Sequence, residues 1–432
     1  MDVVKFPEPT SWPSLQRRPT ESVSTSVRGQ VRSILELVRK GGDAAVRQLT
    51  ADLDGVEIDD PRVPTEVLSA AADALDPALV QAIETAIRNV RTFHESQLHE
   101  EARVETQPGV VCWRRIAAIP TVGLYVPAGT APLFSTAIML AVPALVAGCR
   151  DIVLCSPPTS TGSVHPTIAG TAHLLGLDNV CAVGGAQAIA ALAYGTDSIP
   201  KVDKVFGPGN QWVTVAKQLV ASDGVAIDLP AGPTELLIIA DESVPLSFVA
   251  ADVLAQAEHG IDSQVLVVTW STDVAGGLKS EISRQLHDLP RRSTAVEALD
   301  HSHIVLLNSV DDAIDFSNQY APEHLILACR EAEAVAERIA AAGSVFIGPF
   351  TPEAAGDYAS GTNHTLPTGG FARTRSGVSV ESFMKHITFQ QLSPNGLKEL
   401  GPIVQTLAEA EELSGHARSV GVRLDYLSEK EG

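Results

Sequence analysis

The sequence has no C-x-x-C pair, and its five cysteines (Cys112, Cys149, Cys155, Cys181 and Cys329) are an odd, scattered number. That excludes a disulfide framework and points to structural thiols in a reducing compartment. Residues 1–20 contain prolines and Arg17-Arg18 but no apolar core of a secretory signal, so the chain reads as cytoplasmic. Basic charge is scarce: 31 Lys+Arg stand against 52 Asp+Glu, a net charge of -21. Such a surface repels nucleic acid and anionic membranes, so neither is an expected partner. Aromatics are 5% of residues against 45% hydrophobic, so the cores must be aliphatic. Long hydrophobic runs are missing too. No charged residue lies between Arg115 and Arg150, but Pro120, Gly123, Pro127, Gly129, Pro132 and Pro143 interrupt that stretch. Its pieces are shorter than the ~20 residues a membrane-spanning helix needs. Two familiar signatures are also absent. No G-x-G-x-x-G follows a predicted strand, and no H-E-x-x-H occurs.

What is present is alternation. Short apolar runs at 122–126, 151–155, 180–183, 204–206 and 225–228 read as strands, with helical patterns at 135–147, 186–194 and 211–221 between them. A second such region has strands at 235–240, 263–269, 303–307, 324–328 and 344–347, and helices at 246–258, 312–318 and 332–342. This rhythm predicts βαβ units and largely parallel sheets, an α/β fold. A mostly helical stretch, about 22–98, precedes both regions, and a helical, acidic one, 402–419, follows them. A chain of 432 residues is too long for one ordinary core. Low-complexity linkers are lacking, so the domains are expected to pack closely.

Several segments carry chemistry, each with a plainer alternative. Gly184-Gly185-Ala186-Gln187 and Gly207-Pro208-Gly209-Asn210 each follow a strand and open a helix, where backbone N–H groups can meet an anion. By themselves they read rather as tight strand-to-helix turns. Gln256 and His259 lie three residues apart at a helix end and share a face, which suits one ion, although by itself the pattern favours a helix-end cap. Glu323-His324 opens a strand after Pro322. A carboxylate and an imidazole there can share proton transfer near neutral pH, or form a solvated turn. The stretch 356–364, GDYASGTNH, reads as a polar, glycine-rich loop. His416 follows a run of acids, Glu409, Glu411 and Glu412, which a solvated helix face also explains.

Taken together, VGLYVPAGTAPLFST, VGGAQAIAALAYGT, KVFGPGNQWVTVAK, DLPAGPTE, LAQAEHGIDSQ, YAPEHL and AGDYASGTNHTLPT closely resemble the histidinol dehydrogenase family, over about 22–424. The resemblance implies two incomplete Rossmann-like α/β domains with small helical N- and C-terminal segments, in a domain-swapped homodimer. It implies an N-terminal segment 1–21, a first α/β domain of 22–104 plus 236–377 with the metal and acid–base residues, an NAD-binding domain of 105–235, and a C-terminal segment 378–432 reaching the partner subunit. One Zn²⁺ per subunit would be held by Gln256, His259, Asp357 of the glycine-rich loop, and His416 from the other subunit. Glu323 and His324 would be the acid–base pair. Tyr125, Gln187 and Asn210 would contact NAD. The substrate, L-histidinol, would meet Ser135, Thr234, His364 and Glu411 as well as the metal and acid–base residues, with Glu411 crossing the dimer interface.

One departure stands out. Thr234 occupies a position where the family often carries serine; the hydroxyl survives, but the added methyl narrows the pocket. The implied reaction oxidises L-histidinol through L-histidinal to L-histidine with two NAD⁺, closing histidine biosynthesis. Two other readings stay open: a family member acting on another small alcohol, and a binding module that keeps the fold without the chemistry.

Overall fold

The computed structural model describes residues 1–19, 25–99, 101–129, 131–229 and 232–430. The boundary expected at residues 21–22, Thr130 in the first block above and Pro230-Ala231 in DLPAGPTE lie outside the described residues. The strands in chain order are β1 (Asp2–Lys5), β2 (Val104–Gln107), β3 (Val110–Ala118), β4 (Thr121–Tyr125), β5 (Asp151–Ser156), β6 (Val180–Ala182), β7 (Lys204–Phe206), β8 (Ala226–Ile227), β9 (Glu235–Ala240), β10 (Gln264–Thr269), β11 (His303–Leu306), β12 (His324–Ala328), β13 (Ser344–Ile347) and β14 (Met384–Leu392).

Two parallel sheets dominate. One runs β6-β5-β4-β7-β8 and the other β1-β11-β10-β9-β12-β13. If β1 is set aside, both share one topology: the first strand sits centrally, the next two extend to one side, and the last two to the other. The winding therefore reverses between β4 and β7, and again between β9 and β12. Such a reversal leaves a crevice at a sheet edge where ligands bind. The central strands are buried throughout because helices cover both faces. Every residue of β9 (ELLIIA) and β10 (QVLVVT) is buried.

The uncharged stretch 116–149 contains β4 and the helix Phe134–Ala147, which is buried over most of its surface. It is a core helix. Among the described residues, no helix is long and apolar enough to cross a membrane. The helices Thr25–Asp54, Thr65–Asp73 and Pro77–Glu95 pack on the five-stranded sheet side. Val31, Leu35 and Val38 share a core with Val153, Ile189 and Val205. Leu68, Ile83 and Val90 share another with Val122, Ile138 and Leu154. An amphipathic helix displays its apolar face but not which sheet receives it.

Three features of the fold differ from the sequence reading. The N-terminal segment carries a strand, β1, which adds in parallel to the β11 edge; four residues are too few for a period to show. The helical pattern 332–342 ends at Ala336. Beyond it the Asn318 side chain takes the N–H groups of Ala340 and Ala341 and donates to the Arg338 carbonyl, so the backbone no longer bonds along a helix. The C-terminal segment is also not all helix.

The chain divides into two compact units, Met1–Gln97 with Ile119–Phe383, and Leu98–Ala118 with Met384–Gly432. The first contains both parallel sheets. The second has an antiparallel sheet in the order β14-β3-β2 and the helices Pro394–Ala410 and Ser414–Glu429.

Candidate active site

The strands β9 and β12 lie side by side, with His324 opposite Leu236. Their amino ends therefore bring Thr234-Glu235 next to Glu323-His324. The helix Leu246–Ala257 runs back from the far end of β9, so its last turn returns Gln256 to the same edge. Gln256 is fully buried. With its amide oriented to satisfy both atoms, the nitrogen donates to Glu353 Oε1 at 2.8 Å, and the oxygen lies 2.9 Å from Thr234 Oγ1 and 3.0 Å from the Glu235 nitrogen. Thr234 Oγ1 is also 2.7 Å from Glu323 Oε2, which accepts the Glu235 N–H at 3.0 Å. The single hydroxyl proton of Thr234 can serve Glu323 or Gln256, but not both. Thr234 thus couples the protonation of Glu323 to the amide beside it.

Burial holds the Glu323 carboxyl well above the usual carboxylate range. The hydrogen bonds from Thr234 and Glu235 pull the other way, and the nearby charges of Glu235 and Asp357 add to the rise. His324 is shifted oppositely, down to about 4, chiefly by burial, with Asp357 opposing. Its Nδ1 lies 3.3 Å from the Glu235 carbonyl oxygen, which suits Nδ1–H as donor. That leaves Nε2 with a free lone pair. It is buried without a hydrogen-bond partner, 3.7 Å from Asp357 Oδ1. A neutral imidazole with an unengaged nitrogen can take a proton, and a carboxyl with a raised pKa can give or take one.

Asp357 does not lie in a loop, contrary to the reading of 356–364. It sits on the helix Glu353–Tyr358. A Cβ at Gly356 would come within 2.6 Å of the Phe346 ring, so that glycine permits a close helix–strand approach rather than a flexible chain. The same helix brings in Glu353, which sequence reasoning missed. An acid in a helix's first turn is commonplace and carries no signal of function. Here it is 2% exposed, its Oε1 is 3.5 Å from His324 Nδ1, and its Oε2 has no partner. Burial and the charges of Asp357 and Glu323 raise its pKa well above the usual range.

Ligand atoms of His324, Glu353 and Asp357 lie within 4.8 Å of one another. His259 follows the Gln256 helix, with Nδ1 3.0 Å from the Ala255 carbonyl and its ring near enough to influence both His324 and His364. His364 is likewise held down by burial, and its Nε2 has no hydrogen-bond partner. Buried polar atoms without partners are costly. Two imidazole nitrogens and a carboxylate oxygen are left so here, beside further N and O donors and no thiol. That set suits a divalent cation of the zinc type.

Ser135 is buried near the start of the helix Phe134–Ala147. Glu411 and His416 lie in the second unit, exposed, around the break between its two helices.

The cofactor candidates gather on the other sheet. Tyr125 ends β4. Its hydroxyl accepts the Gly185 N–H at 3.1 Å, and burial pushes its pKa up to about 12, so it remains a neutral phenol. Gln187 donates to Asp54 Oδ2 at 3.0 Å, while its own oxygen is buried without a partner. Asn210 caps the helix Gln211–Ser222, accepting from Trp212 and Val213. All three lie beyond the carboxyl ends of β4, β6 and β7, around the reversal of the winding.

The histidinol dehydrogenase family model matches residues 16–424. A histidinol dehydrogenase of Bacteroides thetaiotaomicron is 49% identical over 427 residues, covering 99% of this chain and 100% of its own. One from Xylella fastidiosa is 52% identical over 408 residues, covering 94% and 95%. The crystal structure of histidinol dehydrogenase from Elizabethkingia anophelis superposes with a TM-score of 0.96 at 46% identity, covering 99% of both chains. The chain belongs to the histidinol dehydrogenase family and is an oxidoreductase of that family.

Proposed function

We propose that the enzyme oxidises L-histidinol through L-histidinal to L-histidine, with two NAD⁺ and one water, using Glu323 and His324 as the acid–base pair. The observation that carries this reading is their placement: a buried neutral imidazole with a free nitrogen adjoins a buried carboxyl, at the edge where Gln256, His259, Asp357 and His364 converge. His324 takes the hydroxyl proton while hydride passes from the carbinol carbon to the first NAD⁺. Glu323 then takes a proton from water as that water adds to the aldehyde. The hydrate yields its hydride to a second NAD⁺, leaving the carboxylate.

Gln256, His259, Asp357 and the partner subunit's His416 would hold zinc, which, when bound, would grip and orient the substrate's imidazole and amino nitrogens. Ser135, Thr234, His364 and the partner's Glu411 would complete the substrate pocket of a domain-swapped homodimer. Glu411 and His364 favour histidinol over an alcohol bearing an anionic group, because a carboxylate there opposes a second negative charge. Tyr125, Gln187 and Asn210 would bind NAD⁺, which enters the β4/β7 crevice without a Rossmann fingerprint.

The test is stoichiometric. Purified protein given zinc, NAD⁺ and L-histidinol should form two NADH per histidinol consumed, and outperform a panel of other small alcohols. Glu323→Gln should damage the aldehyde step by about 10²–10⁴-fold, more than the first hydride transfer. His324→Asn should slow the alcohol step. Preference for another alcohol, or equal losses in both steps for Glu323→Gln with zinc and NAD⁺ still bound, would refute the assignment.

A further inference from the structure

An ion pair lies buried beneath the 207–210 turn, outside every residue assigned above. Lys217 projects from the helix Gln211–Ser222 and is 2% exposed. It pairs with Asp228, whose side chain is equally hidden just beyond β8. The two do more than meet each other. Lys217 Nζ donates to the Gly207 carbonyl at 2.8 Å, and the Gly207 N–H donates to Asp228 Oδ2 at 2.7 Å. One residue of the turn is thus held by both of its backbone polar groups, from opposite sides, by opposite charges.

Gly207 has no freedom to replace this grip with a side chain. Its φ is +122°, and a Cβ would come within 2.1 Å of the Tyr125 carbonyl oxygen. The turn therefore presses on the end of β4 at the reversal of the winding. Taking a lysine and an aspartate out of water is expensive, and an apolar pair of similar volume could fix the helix to the sheet as well. What an apolar pair cannot do is set the tilt of the peptide groups flanking Gly207. The neighbouring cation is otherwise engaged: Lys204 Nζ donates to the Ser382 carbonyl at 2.8 Å.

We propose that Lys217 and Asp228 are positioning residues for the dinucleotide. By holding Gly207 they fix the orientation in which the Gly207–Asn210 turn meets NAD⁺, without touching it. The inference rests on the placement of NAD⁺ at that turn.

Lys217→Met keeps the stem and removes the charge; Asp228→Asn keeps the shape and alters one acceptor. In both, NAD⁺ dissociation constants would be measured by titration on the zinc-loaded enzyme, with KM and kcat followed separately and zinc content checked. Lys217→Met should raise the Kd and KM for NAD⁺ about tenfold or more, since it strands a buried carboxylate and carbonyl, while kcat at saturating NAD⁺ and zinc content hold. Asp228→Asn should shift them in the same direction by less. If Lys217→Met fails to fold, Asp228→Asn carries the test alone. A folded variant that loses thermal stability but binds NAD⁺ as the wild type does, while Asn210→Ala binds it weakly, overturns the inference and leaves the cofactor site standing. Unchanged affinity in Asn210→Ala as well places the cofactor elsewhere, and the inference falls with it.

Discussion

Glu353 shows how much a single side chain depends on its surroundings. Its carboxyl is 2% exposed and its pKa is raised, chiefly by burial. A carboxyl whose pKa is higher in the folded than in the unfolded chain favours the fold at low pH, and that contribution is lost as pH rises from the ordinary value toward the raised one. In the metal-free protein Glu353→Gln should therefore be more stable than wild type at neutral and alkaline pH. The difference should narrow as pH falls toward 4.5 and close below it, where this carboxyl is protonated in the folded and the unfolded chain alike. At pH 8 the gain should be on the order of 1 kcal/mol, or roughly 1 °C in Tm for a chain of this length. Thermal melts with a chelator present from pH 5 to 9 would measure it, and a gap that stays constant with pH would show that ionisation is not its source. Glu323-His324 was readable as a candidate because an acid and an imidazole stand adjacent at the start of an apolar run. Glu353 was not, since nothing in an ordinary helix-opening acid announces that Gln256 and His324 will close over it.

At the level of elements, the two sheets share a winding but use opposite edges. The cofactor candidates lie past the carboxyl ends of β4 and β7. The proposed acid–base pair opens β12, at the amino edge of the second sheet. Helix direction explains the difference. The helix Leu246–Ala257 returns its last turn, with Gln256 and then His259, to the amino edge, where donors from several segments can converge. The connection into β13 supports that edge. Gly343 and Ser344 donate their N–H groups to the carbonyls of Pro322 and Glu323, each at 2.9 Å. Upstream, Asn318 holds the backbone of 338–341 in place of helical bonds. Asn318→Ala should cost about 1 kcal/mol, since the bonds are near solvent, and lower the Tm accordingly. Zinc and NAD⁺ affinity should stay as in the wild type. An unchanged Tm would mean that water replaces those bonds fully. Strand and helix positions in both βα regions were legible, because apolar period and turn residues are local. The early end of the 332–342 pattern was not, because the competing side chain comes from another helix.

On the scale of the whole molecule, the second unit exposes Ile403, Leu407, Leu413 and Tyr426 on or beside its two helices. That unit also carries Glu411 and His416. The proposed exchange of these residues between subunits has a direct test. His259→Ala and His416→Ala should each be inactive alone. After unfolding and refolding together, mixed dimers should regain one intact site each, about a quarter of all sites by the statistics of a two-fold dimer. No recovery, with mixed dimers shown to form, would mean that each subunit supplies its own His416. The sequence by itself determined the α/β class, the alternation of strands and helices, and the residue types available for proton transfer and metal binding, since all of these follow from local period and chemistry. Several uncommon blocks in order also pointed to the family. Only the tertiary structure decided that β1 extends the six-stranded sheet, that residues 25–95 pack with the five-stranded one, that Asp357 rides a helix, and that Glu353 and Lys217 lie buried. Each of these depends on which distant surface an apolar face meets, and on how far water is excluded when it does; neither is written in the spacing of residues along the chain.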